Sequence, residues 1–105
     1  MNAQPAIFSQ IKTIVAATAP TARVIVYGSY ARGEQRSDSD IDVLIVVDKP
    51  TLTQEEEKRI KYPLYDLEFE TGQIISPLVV TEEDWEQRHS VTPLYENIER
   101  EGIAL

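Results

Sequence analysis

The segment Ile41–Val47 (IDVLIVV) constrains the fold more than any other part of the sequence, because every residue except Asp42 is apolar. A strand with one solvent-exposed face alternates apolar and polar residues, whereas a strand covered on both faces is apolar throughout. The segment therefore predicts a central strand that is buried on both faces. β-Branched and aromatic content predicts two further strands, at Arg23–Tyr27 and at 73–81, and Pro77 places the latter at a sheet edge or a bulge.

Apolar spacing and capping residues predict helices on either side of these strands, at 5–18, 53–71, 81–88 and 92–102. Thr53 and Glu56 match a capping box, and Pro63 predicts that the second helix is kinked or split, since proline lacks a backbone donor. The element order predicts the α/β (α+β) class, with a small mixed β-sheet of about three strands flanked by helices. A sheet this thin needs a partner or a covering helix on at least one edge.

Composition narrows the classes of function. The chain has 105 residues, enough for one hydrophobic core, so residues 1–105 are expected to form a single domain. It has no cysteine, which excludes disulfides, thiolate metal sites and cysteine nucleophiles. A catalytic triad or a multi-histidine zinc site would depend on the single histidine, His89, which is expected at the exposed end of a helix.

Charge and hydropathy indicate the expected surroundings of the chain. Eighteen acidic and ten basic residues give a formal net charge of -8, and such a surface repels phosphate backbones. Direct nucleic-acid binding is therefore not expected. No apolar run is long enough to span a bilayer and the N-terminus lacks the pattern of a signal peptide, so we expect no membrane association and a cytoplasmic location.

Gly28 and Ser29 directly follow the strand predicted at Arg23–Tyr27, and a short helix could follow them. Such a turn exposes backbone N–H groups, glycine permits close approach of a ligand, and the serine hydroxyl adds a donor. Together these groups can bind an anion. Gly-Ser pairs are also common in ordinary turns, and the dipeptide alone favours that simpler interpretation.

Asp40 and Asp42 are two residues apart at the start of the central strand. In a strand this spacing places both side chains on one face and Ile41 on the other. Two neighbouring carboxylates repel each other unless a cation or shared hydrogen bonds compensate, and their oxygens suit Mg²⁺. The alternative is a pair of solvated aspartates that limit aggregation at the end of the strand.

The combination of the two features resembles the DNA polymerase β-like nucleotidyltransferase superfamily. Its pattern is Gly-Ser, ten intervening residues, and Asp-x-Asp, which is the spacing between Gly28-Ser29 and Asp40-Ile41-Asp42. The residues of the motif most resemble those of the minimal nucleotidyltransferase (MNT) branch. The sequence matches that branch at Gly28, Ser29, Ala31, Arg32, Gly33, Ser39, Asp40 and Asp42.

The resemblance implies a nucleotidyltransferase-like fold and transfer of a nucleoside monophosphate, with AMP from Mg-ATP as the expected group. Gly28 and Ser29 would hold the triphosphate tail, while Asp40 and Asp42 would bind Mg²⁺ and act as the catalytic carboxylates. Arg32 could contact a phosphate, or it could pair with Asp38 or Asp40 and hold the loop, which is the favoured role.

The resemblance also implies a protein partner. The minimal branch is often encoded with a helical HEPN protein, in what resembles a toxin–antitoxin pair whose MNT component modifies the toxin. An acidic domain suits a basic partner. A homo-oligomer is the other arrangement that could complete a nucleotide pocket in so short a chain.

One position departs from the family pattern. Catalysing members usually carry a third carboxylate on the next strand, where this chain has Ser76. A serine hydroxyl is a weak ligand for Mg²⁺, so one metal site could be impaired. Glu68 or Glu70 could supply the carboxylate, although both suit the exposed face of a helix. The alternative function is therefore a catalytically weak or inactive binding module that neutralises a partner protein by complex formation.

The remaining aromatic residues are expected to be structural. Tyr30 is predicted to pack against the first helix, and Trp85 to lie in a core or an interface. Tyr62, Tyr65 and Phe69 fall near one helical face, where core packing is favoured over base stacking.

Overall fold

The computed structural model describes residues 5–87 and 90–105, in which four strands form one sheet and five helices surround it. The strands are β1 (Arg23–Tyr27), β2 (Ile41–Val47), β3 (Ile75–Thr81) and β4 (Ile103–Ala104). The helices are α1 (Ala6–Thr18), α2 (Ser29–Arg32), α3 (Gln54–Thr71), α4 (Glu82–Gln87) and α5 (Pro93–Glu101). The prediction for His89 and the end of the helix predicted at 81–88 lie outside the described residues.

The sheet has the order β3-β2-β1-β4 and is mixed: β2 pairs with β1 antiparallel and with β3 parallel. This arrangement confirms the predicted α/β class and the central position of β2. It also confirms that the strand containing Pro77 is at an edge, where the missing backbone donor removes no bond from a central ladder.

The fourth strand was not predicted. β4 pairs with β1 through Ile25 opposite Ala104 and Val26 opposite Ile103, and the backbone N–H of Leu105 donates to Val24 O at 2.9 Å. Two residues are too few to display the alternation by which strands are recognised in a sequence. β4 covers the edge of β1, which the prediction of three strands had left in need of a partner.

Helices cover both faces of the sheet, as the apolar sequence of β2 predicted. On one face, Ile41, Val43 and Ile45 share a core with residues of α1 and α3. On the other face, Leu44 and Val46 share a second core with Trp85 of α4 and Ile98 of α5. Odd-numbered and even-numbered positions of β2 therefore face different layers, and the side chain of Asp42 belongs to the second.

α3 confirms its predicted ends, and of the two alternatives predicted at Pro63 the structure excludes the split. Thr53 and Glu56 form the capping box, and Gly72 follows the last turn. Pro63 does not split the helix, which is continuous over Gln54–Thr71. Ile60, Leu64 and Leu67 on both sides of the proline are buried in the same core, and this packing outweighs the loss of one hydrogen bond.

Two aromatic predictions are confirmed and one is wrong. Tyr30 packs against Phe8 of α1, with ring centroids 6.2 Å apart, and Trp85 is fully buried. By contrast, Tyr62, Tyr65 and Phe69 are 55%, 41% and 92% exposed, so they do not pack in the core. The aliphatic residues of α3 occupy its core-facing side, which leaves these three rings on the opposite side.

Within residues 5–87 and 90–105, no helix has both the length and the apolar character needed to cross a membrane.

Candidate functional site

Gly28 forms the bend between β1 and α2, and only glycine fits there. Its backbone has φ 74° and ψ −151°, a conformation that is essentially reserved for glycine. A Cβ at this position would overlap Asp42 Oδ2, so the backbone of the bend lies directly against that carboxylate. The bend also begins α2, since the N–H groups of Ala31 and Arg32 donate to Gly28 O at 3.1 and 3.2 Å. Ser29, the first residue of α2, is half-buried beside the bend.

The antiparallel pairing of β1 and β2 brings the two parts of the motif together. Tyr27, the last residue of β1, is opposite Asp42, the second residue of β2. The ten residues between Ser29 and Asp40 therefore form a connection that returns the chain to the same end of the sheet. Gly28 is thus brought beside Asp42 at one end of the sheet.

The two aspartates interact electrostatically. Burial raises the pKa of the Asp42 carboxyl, the negative charge of Asp40 raises it further, and the positive charge of Arg32 opposes both effects. The pKa of the Tyr27 hydroxyl is likewise raised, first by burial and then by the charge of Asp42. The negative charges of Asp40 and Asp42 are thus close together at this end of the sheet, and a bound cation would reduce their repulsion.

Ser76 lies beside the aspartates, as predicted for the position nearest the missing carboxylate. It is opposite Asp42 in the parallel ladder of β2 and β3, and its hydroxyl donates to Asp40 Oδ2 at 3.4 Å. Glu68 does not substitute for it, because Glu68 Oε1 accepts a hydrogen bond from the backbone N–H of Ile75 at 2.8 Å. Glu70 is exposed on α3.

The oxygen atoms at this site suit one magnesium ion. Among the residues that the structure describes, no three histidine, cysteine or carboxylate side chains are grouped so that they could hold a metal. The protein thus offers two carboxylates and a hydroxyl, all of them hard oxygen donors. Mg²⁺ commonly takes one or two carboxylates and completes its octahedron with waters and substrate phosphates, so the donor set fits this ion when a polyphosphate is also bound.

Arg32 does not pair with Asp38 or Asp40, so the predicted pairing is wrong. Its Nε atom donates to Glu34 Oε2 at 3.3 Å and its Nη1 atom donates to Glu101 Oε2 at 3.5 Å. Glu101 is at the end of α5, and only the folded chain brings it to α2. Glu101 was therefore not predicted as a residue of the site, because no local pattern links it to Arg32.

Comparison with known proteins agrees with this geometry. Residues 8–105 match the family described as "Nucleotidyltransferase domain". A solved structure described as "putative minimal nucleotidyltransferase" is 29% identical, covers 94% of this chain and 92% of its own, and superposes with a TM-score of 0.60. A second, described as a toxin-antitoxin with AMP-PNP, is 18% identical, covers 91% of this chain and 69% of its own with a TM-score of 0.66, and shows similarity of fold alone.

A relative from Methanocaldococcus jannaschii, named as a "putative protein adenylyltransferase", is 43% identical over 58 residues. The aligned region is 54% of this chain and 57% of the relative, so it spans little more than half of each protein. The family match is broader and extends over nearly all of the described residues. The sheet, the glycine bend and the aspartate pair lie within that match, and the chain belongs to the nucleotidyltransferase domain family.

Proposed function

We propose that this chain transfers AMP from Mg-ATP to a hydroxyl group of a protein acceptor. The observation that carries the proposal is the contact of Asp42 with Gly28, which sets a paired-carboxylate site directly beside a turn suited to anions. Support for ATP and for a protein acceptor comes from the descriptions of the similar proteins, one with AMP-PNP and one named as a protein adenylyltransferase.

In the proposed reaction the acceptor oxygen bonds to the α-phosphorus, the bond from that phosphorus to the β-phosphate oxygen breaks, and pyrophosphate leaves. The backbone of Gly28 and the hydroxyl of Ser29 hold the triphosphate tail. Asp40 and Asp42 would hold Mg²⁺, which would supply charge neutralisation for the phosphates and would favour ionisation of the acceptor hydroxyl. The proton of that hydroxyl passes to solvent. Ser76 positions Asp40 through its hydrogen bond.

Arg32 has a positioning role in this proposal. It ties α2 to the end of α5 through Glu34 and Glu101, and its charge also lowers the pKa of Asp42. Both ion pairs are solvent-exposed and contribute little to stability, so the guanidinium is available to turn toward an incoming phosphate.

A second candidate function rests on Ser76. Two carboxylates and a hydroxyl provide fewer anionic ligands than three carboxylates, and a chain that binds nucleotide without turnover could still neutralise a partner by forming a complex. A partner of the HEPN type, basic where this chain is acidic, would fit either function.

The experiment that separates the two functions measures, on the same samples, the radioactive label transferred to the partner and the inhibition of the partner's own activity. The chain, a candidate partner and ATP labelled at the α-phosphate are incubated with Mg²⁺, and radioactivity in each protein is counted. We expect label in the partner, its loss with Asp42→Asn, and its retention with the control Asp48→Asn, an exposed aspartate just after β2.

Two results together would contradict the transferase proposal and support the binding module. The parent chain would leave the partner unlabelled, and the Asp40→Asn, Asp42→Asn double variant would still inhibit the partner's activity. Complex formation by gel filtration accompanies each variant, so that loss of label is not confused with loss of the complex.

A further inference from the structure

The outward side of α3 carries an aromatic surface that the proposed reaction does not use. Tyr62, Tyr65 and Phe69 are on it, and Phe69 is 92% exposed. The rings of Tyr62 and Tyr65 already contact each other, with centroids 6.3 Å apart. Exposed aromatic groups of this kind on one helix usually mark an interaction site. We call Lys58, Tyr62, Tyr65 and Phe69 the outer stripe.

The spacing of the outer stripe is that of a helix-pairing seam. Its four positions follow one another at intervals of four, three and four residues, which is the heptad spacing of residues that face a second helix. The core-facing residues Ile60, Leu64 and Leu67 keep the same spacing on the opposite side of α3. One helix therefore has two seams, of which the fold buries one.

The arrangement of charge along the outer stripe is complementary to itself. The end of the stripe nearer the start of α3 has Lys58 and the other end has Phe69. Arg59 and Asp66, both exposed, flank the stripe on one side, seven residues apart. If a second copy of α3 lies antiparallel with its centre between Tyr62 and Tyr65, Arg59 of each copy lies beside Asp66 of the other.

The same antiparallel arrangement places Lys58 of one copy over the ring of Phe69 of the other, where the lysine stem and ammonium can pack on an aromatic face. Tyr62 of each copy meets Tyr65 of the other. A parallel arrangement would instead set Lys58 against Lys58, with repulsion of like charges. The charge pattern therefore favours an antiparallel partner.

We propose that the outer stripe binds a second copy of this chain, as an antiparallel pair of α3 helices. A helix of 18 residues is about 27 Å long, and each copy contributes three aromatic side chains and one lysine along more than half of that length. A basic protein partner has less reason to dock here, because the stripe itself is aromatic and begins with a lysine. The stripe lies outside the α1 and α3 core, whereas Asp42 is on the other face of the sheet, so the dimer leaves the nucleotide site open.

The first test is sedimentation velocity over a range of concentrations, without nucleotide or magnesium. We expect the mass to rise from 11.9 kDa toward twice that value as concentration increases. Phe69→Glu and Tyr65→Glu should remain monomeric with unchanged circular dichroism. Val91→Glu, which places the same charge at an exposed apolar residue elsewhere, should behave as the parent chain.

Charge exchange tests the pairing of Arg59 with Asp66. Each single reversal, Arg59→Glu or Asp66→Arg, should weaken the dimer by about tenfold in Kd, and the double variant should restore it. Lys12→Glu, an exposed charge reversal on α1, is the control.

Engineered cysteines test the orientation, since the chain has no native cysteine. A mixture of Tyr62→Cys and Tyr65→Cys chains should form more disulfide-linked dimer than either chain alone. A chain that is monomeric at every concentration, a dimer that survives Phe69→Glu, or preferential linkage of Tyr62→Cys to itself would overturn the proposal. So would capture of a different protein on the outer stripe by a chain that remains monomeric.

Discussion

The ionised carboxylate of Asp42 destabilises the folded chain, because its pKa is raised by burial and by the charge of Asp40. A carboxyl whose pKa is higher in the folded chain binds its proton more tightly there than in the unfolded chain. Stability therefore falls as the pH rises from the ordinary pKa of 3.8 through the raised value, and the penalty persists at neutral pH.

Replacing Asp42 with asparagine should remove this penalty. We expect Asp42→Asn to be more stable to urea than the parent chain at neutral pH without divalent cations, and its stability to vary less with pH across the acidic range. Asp48→Asn, at an exposed position, should show neither change. A variant that is less stable than the parent at neutral pH would show that the charge of Asp42 is already compensated in the folded chain.

Two features of Gly28 disfavour any side chain there: its backbone conformation and its contact with Asp42. A matched pair of variants can separate them. Gly28→Ala imposes a side chain on a conformation reserved for glycine and also pushes a methyl group into Asp42 Oδ2, whereas Gly33→Ala, at φ 69°, meets no atom within 4 Å. We expect a loss of about 1–2 kcal/mol in unfolding free energy for Gly33→Ala. Gly28→Ala should lose more, and should also lose affinity for Mg-ATP.

Unfolding in urea measures the first quantity and calorimetry the second. Equal losses of stability in Gly28→Ala and Gly33→Ala, with nucleotide binding intact in both, would contradict the close contact of the bend with Asp42.

Single residues of the site differ in how far the sequence determines their surroundings. The aspartate pair was predictable because alternation in a strand fixes which side chains share a face. The partners of Arg32 were not, because Glu101 reaches it only after α5 has packed on the sheet. Local patterns therefore predicted that the two aspartates share a face, but not the contacts that orient Arg32.

Among the elements, α3 shows both the strength and the limit of pattern analysis. Its capping box and its end were predicted because the residue types that stabilise helix ends act locally. At Pro63 a kinked and a split helix were both open, since the sequence shows the lost hydrogen bond but not the core that compensates for it. The exposed rings of Tyr62, Tyr65 and Phe69 were mistaken for core residues because two seams on one helix have the same spacing.

β4 depends on Gly102, which allows the end of the chain to approach β1. A Cβ on Gly102 would lie 2.6 Å from Ile25 Cγ2 and 2.6 Å from Ile98 O. Since Ile98 O is a backbone atom that cannot turn aside, Gly102→Ala should displace β4 and destabilise the fold by roughly 1–3 kcal/mol.

Hydrogen exchange is the direct measurement for this variant, because β4 holds the backbone N–H of Leu105 to Val24 O. That amide should lose its protection in Gly102→Ala and keep it in Ala104→Ser, whose side chain is exposed on the same strand. Full protection in both variants would mean that the approach of β4 does not require glycine.

The topology of the whole molecule assembles the site at one end of the sheet. β1 ends, β2 begins and β3 begins at that end, because β1 is antiparallel and β3 is parallel to β2. Gly28, the aspartates and Ser76 thus converge from three strands. The sequence predicted the layers and the central strand through the apolar run of β2, but the strand order depends on long-range pairing that no local pattern records.

The proposed Mg-ATP site at the Gly28 bend and the aspartate pair is tested most directly by calorimetric titration of the chain with ATP, in Mg²⁺ and again with the metal chelated. We predict that chelation weakens binding by at least about tenfold, and that Asp40→Asn, Asp42→Asn removes the dependence on Mg²⁺. Asp48→Asn should bind as the parent does. Equal affinity for ATP with and without the metal in the parent chain would contradict a polyphosphate bridged by Mg²⁺ to these two carboxylates.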